Sequence, residues 1–160
     1  MPEGRLVSFG LAGGLRDDLP LGAVIDATRV VAEDGSVLWE GGPLGVAGAW
    51  HGTILAAERL VDDPAERRRL HGRTGADAAD MESGPLARSG RLAGCLRAVS
   101  DTPAAPLGPL ARMIDGEGRL SAAGVARALG RPRESARALS GVRRALQALQ
   151  QSVAKSGVGA

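Results

Sequence analysis

The chain has 160 residues, enough for a substantial core in one domain, with 44% hydrophobic and 24% charged residues, as in ordinary globular proteins. One Phe, two Trp and no Tyr leave few platforms for stacking bases, and the arginines are spread among acidic residues rather than clustered. A net charge of +2 with that dispersion argues against a nucleic-acid partner. In chain order, short apolar runs bounded by glycine predict strands at Leu6–Gly10, Ala23–Val31, Val37–Trp39, Thr53–Ala57, Ala76–Met81 and Ala93–Val99. Several are continuous rather than alternating, as in strands buried on both faces.

The first run leads into "SFGLAGGL", residues 8–15, where glycine lets backbone approach a ligand closely. The stretch matches neither G-x-G-x-x-G nor the Walker pattern, and a tight packing turn explains it equally well. Residues 32–50 are rich in glycine and read as a hairpin or loop flanked by Trp39 and Trp50, packing anchors in the plainer reading and a cover for a bound ligand in the other. "DDPAERRRL" then predicts a helix capped by Asp63, with Pro64 at its first position and Glu66 completing a capping box.

"ADMES", residues 79–83, places Asp80, Met81 and Glu82 at the end of a strand, with Ser83 or Gly84 capping a helix near Pro85. A carboxylate there is costly to desolvate unless something binds it, and ligands of open α/β sheets sit at that edge. An exposed carboxylate stabilised by the helix dipole is the plainer reading of Glu82 alone. "LRAVSDTPAAPLGPL", residues 96–110, repeats the arrangement: a buried strand ends in Ser100-Asp101. A partly desolvated carboxyl there has a raised pKa and can donate a proton, whereas a helix or turn cap is the alternative. Two carboxylates ending successive strands favour a site.

From about residue 106 the chain turns helical. In "RESARALSGVRRALQALQQSV", Leu139, Val142, Leu146, Leu149 and Val153 predict a long amphipathic helix packing on the core. Arg133, Arg137 and Arg144 fall on its solvated side, and residues 153–160 form a frayed tail. Cys95 reads as a buried thiol, His51 and His71 as surface or packing residues. No metal-ligand cluster, signal peptide or membrane-length apolar segment is present, so a cytoplasmic protein without cofactor or metal is expected. The fold class expected is α/β, a three-layer α/β/α domain with a mixed central sheet spanning residues 1–160.

Taken in order, "SFGLAGGL", "GAVIDATRVV", "DAADMES" and "LRAVSDT" resemble the nucleoside phosphorylase and nucleosidase superfamily. Within it they resemble the bacterial hopanoid-associated phosphorylase-like and methylthioadenosine/S-adenosylhomocysteine nucleosidase branches. The resemblance runs from about Leu6 to Asp101, and "DME" followed some twenty residues later by "SD" is its specific part. It implies that Glu82 grips the ribose hydroxyls, that Met81 packs on a purine nucleoside, and that Asp101 hydrogen-bonds or protonates the base. It also places Ser100 and the backbone of Ala12 and Gly13 in the substrate site.

Three departures shape the expectation. An amino-terminal strand and helix precede the glycine loop in the family but not here, so a partner subunit supplies those groups, activity is lost, or, as the exposed sheet edge favours, the chain is a fragment or has a misplaced start. Leu11 stands where phosphorylases tend to carry a hydroxyl, which favours water over phosphate as acceptor. The helix between Glu82 and Asp101 is about one turn short. The resemblance thus implies cleavage of the N-glycosidic bond of an adenine nucleoside by a homo-oligomer, with a dimer favoured. The alternative is a catalytically silent nucleoside-binding or assembly subunit of the same fold.

Overall fold

The computed structural model describes residues 4–108 and 132–156. Six strands and three helices follow in the order β1 (Leu6–Gly14), β2 (Val24–Val31), β3 (Val37–Glu40), β4 (Trp50–Ala56), α1 (Pro64–Thr74), β5 (Ala78–Asp80), α2 (Ser83–Arg88), β6 (Leu92–Asp101) and α3 (Pro132–Ser156). The sheet is mixed, in the order β3-β2-β4-β5-β1-β6, and β6 also pairs with β2. Strand β2 meets β6 antiparallel over Val24–Ala27 and β3 antiparallel over Arg29–Val31. The sheet therefore curls until five strands close a ring, with β3 branching from β2.

Neighbouring residues on the strands point into two different cores, as the two-residue period of a strand requires. Val30, Ile54 and Ala78 join the core covered by Leu86 and Ala87 of α2. Val31, Leu55 and Ala79 join the one covered by Leu70 of α1, with Leu15, Val61 and Ala76. Both faces of the sheet are thus buried under helices, the arrangement expected of continuous apolar strands.

Local signals hold where they are chemically specific. Asp63 caps α1, accepting from the Glu66 backbone N–H at 2.7 Å, with Pro64 at the first position and Gly75 closing the helix at φ +70°. The Glu66 carboxylate accepts from Arg59. The β2–β3 hairpin turns at Gly35, φ +87°, with Asp34 accepting from Ser36 N–H and hydroxyl. Asp26, fully buried, accepts from the backbone N–H groups of Leu44, Gly45 and Val46, pinning the glycine-rich loop onto the sheet.

Four expectations are corrected. "SFGLAGGL" is not a loop after a strand: β1 runs on through Gly14, because Leu11–Gly13 pair with β6. Ser83 does not cap α2 but is its first residue, its N–H and hydroxyl bonded to the Asp80 carboxylate. Trp39 packs on the core, but Trp50 is 46% exposed and anchors nothing there. Among the described side chains of α3 the buried positions are Ala138, Gly141 and Ala145, whereas Leu139 and Leu146 face outward. The small residues win because the helix lies against the backbone of β6; a Cβ at Gly141 would stand 2.5 Å from the Ser100 carbonyl oxygen. Val142 and Leu149 are half-buried.

Helix α3 runs to Ser156. The side chains of Arg133, Arg137 and Val153, and residues 109–131 and 157–160, lie outside the described residues. Strand β1 pairs with β6 along its length and with β5 only at Gly13 and Gly14. Cys95 is buried as expected, and burial pushes its thiol up to about 12. No described helix is long and apolar enough to cross a membrane.

Candidate functional site

Gly13 is the point where the site is assembled. It pairs with Ala79 of β5 on one side and Asp101 of β6 on the other. Because β5 runs antiparallel to β1, the chain leaving it passes back along β1 and brings Glu82 beside Gly10: a Cβ there would lie 3.0 Å from Glu82 Oε2. The carboxylates therefore flank one strand rather than ending parallel neighbours. A cavity of about 420 Å³ opens over this crossing, within the range of about 300–1,000 Å³ usual for small-molecule sites.

All six residues singled out in the sequence line that cavity: Ala12 and Gly13 from β1, Met81 and Glu82 after β5, Ser100 and Asp101 from β6. They differ sharply in environment. Asp101 and Ser100 are buried, while the Glu82 side chain is 71% exposed and Met81 46% exposed. The desolvated carboxylate of "ADMES" is Asp80, not Glu82. Arg97 compensates it, donating from Nε to Asp80, from Nη2 to Ser8 Oγ at 2.7 Å and from Nη1 to the Leu96 carbonyl. Glu82 Oε2 stands 3.8 Å from Arg97 Nη2, so the guanidinium under Asp80 also holds the rim carboxylate in its field.

Asp101 has a second arginine. Arg67, buried on α1, donates from Nη2 to Asp101 Oδ2, from Nε to the Val61 carbonyl at 2.8 Å and from Nη1 to the Gly14 carbonyl at 3.3 Å. Ser100 Oγ donates to Asp101 Oδ1 at 2.6 Å. Both carboxylate oxygens are thus occupied. Asp62, partly buried, brings Oδ1 to 3.8 Å from the same Arg67 nitrogen; burial raises its carboxyl above the usual range, with Arg67 opposing. Glycine at position 13 leaves room for this pair, since a Cβ would meet Arg67 Nη2 at 3.2 Å and Asp101 Oδ2 at 3.3 Å and press both aside by a few tenths of an ångström.

Arg67, Arg97 and Asp62 were not singled out in the sequence. A readable signal existed for Arg97: a lone charge inside the buried run "GCLRAVS" needs an anion, and "DME" supplies two. For Arg67 the signal was weaker. Three arginines stand in a row, and only the three-residue spacing from Arg67 to Leu70 marks the one that faces inward. The two histidines stay apart from the cavity: His51 is exposed, and His71 Nδ1 lies 2.8 Å from the Ala76 carbonyl. Among the described residues, no three His, Cys, Asp or Glu side chains are grouped to hold a metal ion.

No protein-family model and no curated protein sequence matches the chain. Solved structures do. A futalosine hydrolase mutant of Helicobacter pylori superposes with a TM-score of 0.54 at 19% identity, over 62% of this chain and 59% of that one. The 5′-methylthioadenosine nucleosidase of Arabidopsis thaliana gives 0.58 at 18%, over 94% and 59%. The 5′-methylthioadenosine/S-adenosylhomocysteine nucleosidase of Campylobacter jejuni gives 0.53 at 18%, over 92% and 69%. The chain thus spans about three fifths to two thirds of their lengths, with a curled mixed sheet and helices on both faces. It shares its α/β fold, nucleoside phosphorylase-like in its mixed sheet and flanking helices, with these nucleosidases and the futalosine hydrolase.

Proposed function

We propose that the protein cleaves the N-glycosidic bond of a purine nucleoside, adenine being the favoured base and water the favoured acceptor. The observation that carries this reading is the placing of Glu82 and Asp101 on one cavity across β1. Cleavage builds positive character on the sugar and negative charge on the base. Asp101, at the closed end, protonates the leaving base, and Ser100 orients its carboxyl. Glu82, at the open rim, accepts hydrogen bonds from the sugar hydroxyls, with Met81 packed on the nucleoside. Ala12 and Gly13 present backbone to it without side-chain bulk. Leu11 gives the same wall an apolar surface with no donor for phosphate.

Release of adenine from a panel of 5′-substituted adenosines, with and without phosphate, tests the reading. Release without phosphate is expected. Asp101→Asn should lower kcat about 10²- to 10⁴-fold with little change in KM, because the amide has no proton to give. Glu82→Gln should raise KM and lower kcat together, since it removes the charge on a sugar contact. An unchanged rate in Asp101→Asn sinks the assignment.

A second reading, a nucleoside-binding subunit without turnover, is favoured by one fact: both oxygens of Asp101 are already engaged, by Arg67 and Ser100. Binding of adenosines without release would select it. A homo-oligomer, a dimer foremost, is proposed with either reading, supported by the outward-facing Leu139 and Leu146 of α3. Sedimentation at micromolar concentration distinguishes dimer from monomer.

A further inference from the structure

A proton donor held by a guanidinium poses a conflict. Asp101 has to carry a proton to protonate a leaving base, yet its Oδ2 is the anion that Arg67 Nη2 is bonded to. Were Asp101 simply protonated in place, a guanidinium only 1% exposed would lose its anion, and an uncompensated buried charge is strongly disfavoured. The structure holds a resolution. Among the described residues, Arg67 has a second ion-pair partner, Asp62, whose Oδ1 lies 3.8 Å from the same Nη2.

We propose that Arg67 is a shared counter-ion, bound to Asp101 while that residue is ionised and passing to Asp62 when Asp101 takes up a proton. The inference rests on the reading of Asp101 as the group that protonates the base. The movement is small: Nε stays on the Val61 carbonyl, and Nη2 travels about 1 Å to reach ordinary hydrogen-bond distance from Asp62. Asp62 can meet it, since the backbone N–H groups of Leu107 and Gly108 are its other partners, the latter at a long 3.4 Å.

Other charges near the pair are already matched. Asp80 is held by Arg97 and Arg59 by Glu66, while Glu82 stands at the exposed rim. Strand β1 offers only Gly13 and the Gly14 carbonyl, and α3 offers Val142 to the cavity. Asp101 and Asp62 are therefore the two ends between which the guanidinium can move.

The proton balance closes over one turnover. The C–N bond breaks with its electron pair moving to the base, and the Asp101 proton goes with it. Asp101 returns to the carboxylate and recovers Arg67. Water adds to the sugar carbon and releases a proton to solvent, from which Asp101 is recharged. Arg67 and Asp62 are positioning residues in this scheme; neither touches the reacting atoms.

Crystal structures of the wild type and of Asp101→Asn, whose amide stands in for the neutral acid, test the exchange without substrate. Arg67 within about 3 Å of Asp62 in the variant is the expected result. A guanidinium still on the side chain at position 101 overturns the proposal. Thermal denaturation supplies an independent check. Asp62→Asn alone should leave Tm within about 2 °C, but in the Asp101→Asn background the same change should lower it by about 10 °C, because Arg67 then has no anion. Additive shifts would overturn the proposal as well.

Base release gives the third reading. In Asp62→Asn the alkaline limb of kcat/KM should move down by about one pH unit, because Arg67 then stays on Asp101; an unmoved limb removes Asp62 from the reaction. If the wild type releases no base while both structural tests succeed, the nucleosidase reading falls and the exchange of Arg67 stands.

Discussion

At the scale of single residues, Gly141 decides how α3 meets the site. Alanine in a helix interior is favoured over glycine by about 1 kcal/mol, so propensity alone makes Gly141→Ala stabilising. The contact argues the other way. The new Cβ would stand 2.5 Å from the Ser100 carbonyl oxygen, and that neighbour is strand backbone, which cannot rotate aside. Overpacking of this kind costs about 1–3 kcal/mol, so the clash wins. Gly141→Ala is expected to lower Tm by a few degrees and to slow base release by displacing Ser100-Asp101. Gly94→Ala is the control: its Cβ would meet Leu44 Cδ2, also at 2.5 Å, but that methyl sits at the end of a rotatable side chain. A milder loss there, with base release unaltered, is the expected contrast. Cys95 supplies another residue-level test, since burial holds its thiol near 12. It should react with a disulfide reagent at pH 8 only after denaturation.

At the scale of elements, legibility followed the range of the interaction. The start of α1 is written locally: Asp63 and Pro64 specify the cap, and the structure forms it, although the Glu66 carboxylate pairs with Arg59 instead of closing the box. Asp63→Ala should therefore cost about 1 kcal/mol, read as a shift in denaturant midpoint with unchanged slope. The strands were legible for the same reason, as apolar runs bounded by glycine. What the sequence hid depends on chain segments far apart. Whether Leu139 or Gly141 faces β6 turns on how closely two backbones approach, and hydrophobic periodicity carries no such distance. Arg67 and Arg97 find their anions 34 and 17 residues away, across the ring of strands. The lining of the cavity by Glu82 and Asp101 was anticipated from two strand ends. The antiparallel run of β5 past β1, which sets them on either side of that strand, was not.

At the scale of the whole molecule, acid stability sets groups of opposite sign against one another. Hydrogen bonds from Arg68 to Asp17, from Arg16 to Asp18 and from the Ser36 hydroxyl to Asp34 hold those carboxyls below the ordinary 3.8. Each binds its proton less tightly folded than unfolded, so its contribution is present above that value and lost as pH falls through it. Asp62 has the reverse sign: burial raises its carboxyl, the folded chain binds that proton more tightly, and acidification recovers stability there. The wild type should therefore lose stability gently at first, on entering the window just above pH 4, and more steeply below it. Asp62→Asn removes the opposing contribution, so on acidification above the ordinary carboxyl value its stability should fall more steeply than that of the wild type. Salt separates the two classes. The Asp17–Arg68 and Arg16–Asp18 pairs are exposed, and at 1 M salt, with a screening length of about 3 Å, their share should fade. The difference between wild type and Asp62→Asn should survive, because desolvation rather than a distant charge causes it. Urea midpoints measured from pH 3 to 8 at low and high salt check both statements. A difference that vanished with salt would place the origin of the Asp62 shift in its charged neighbours and not in its burial.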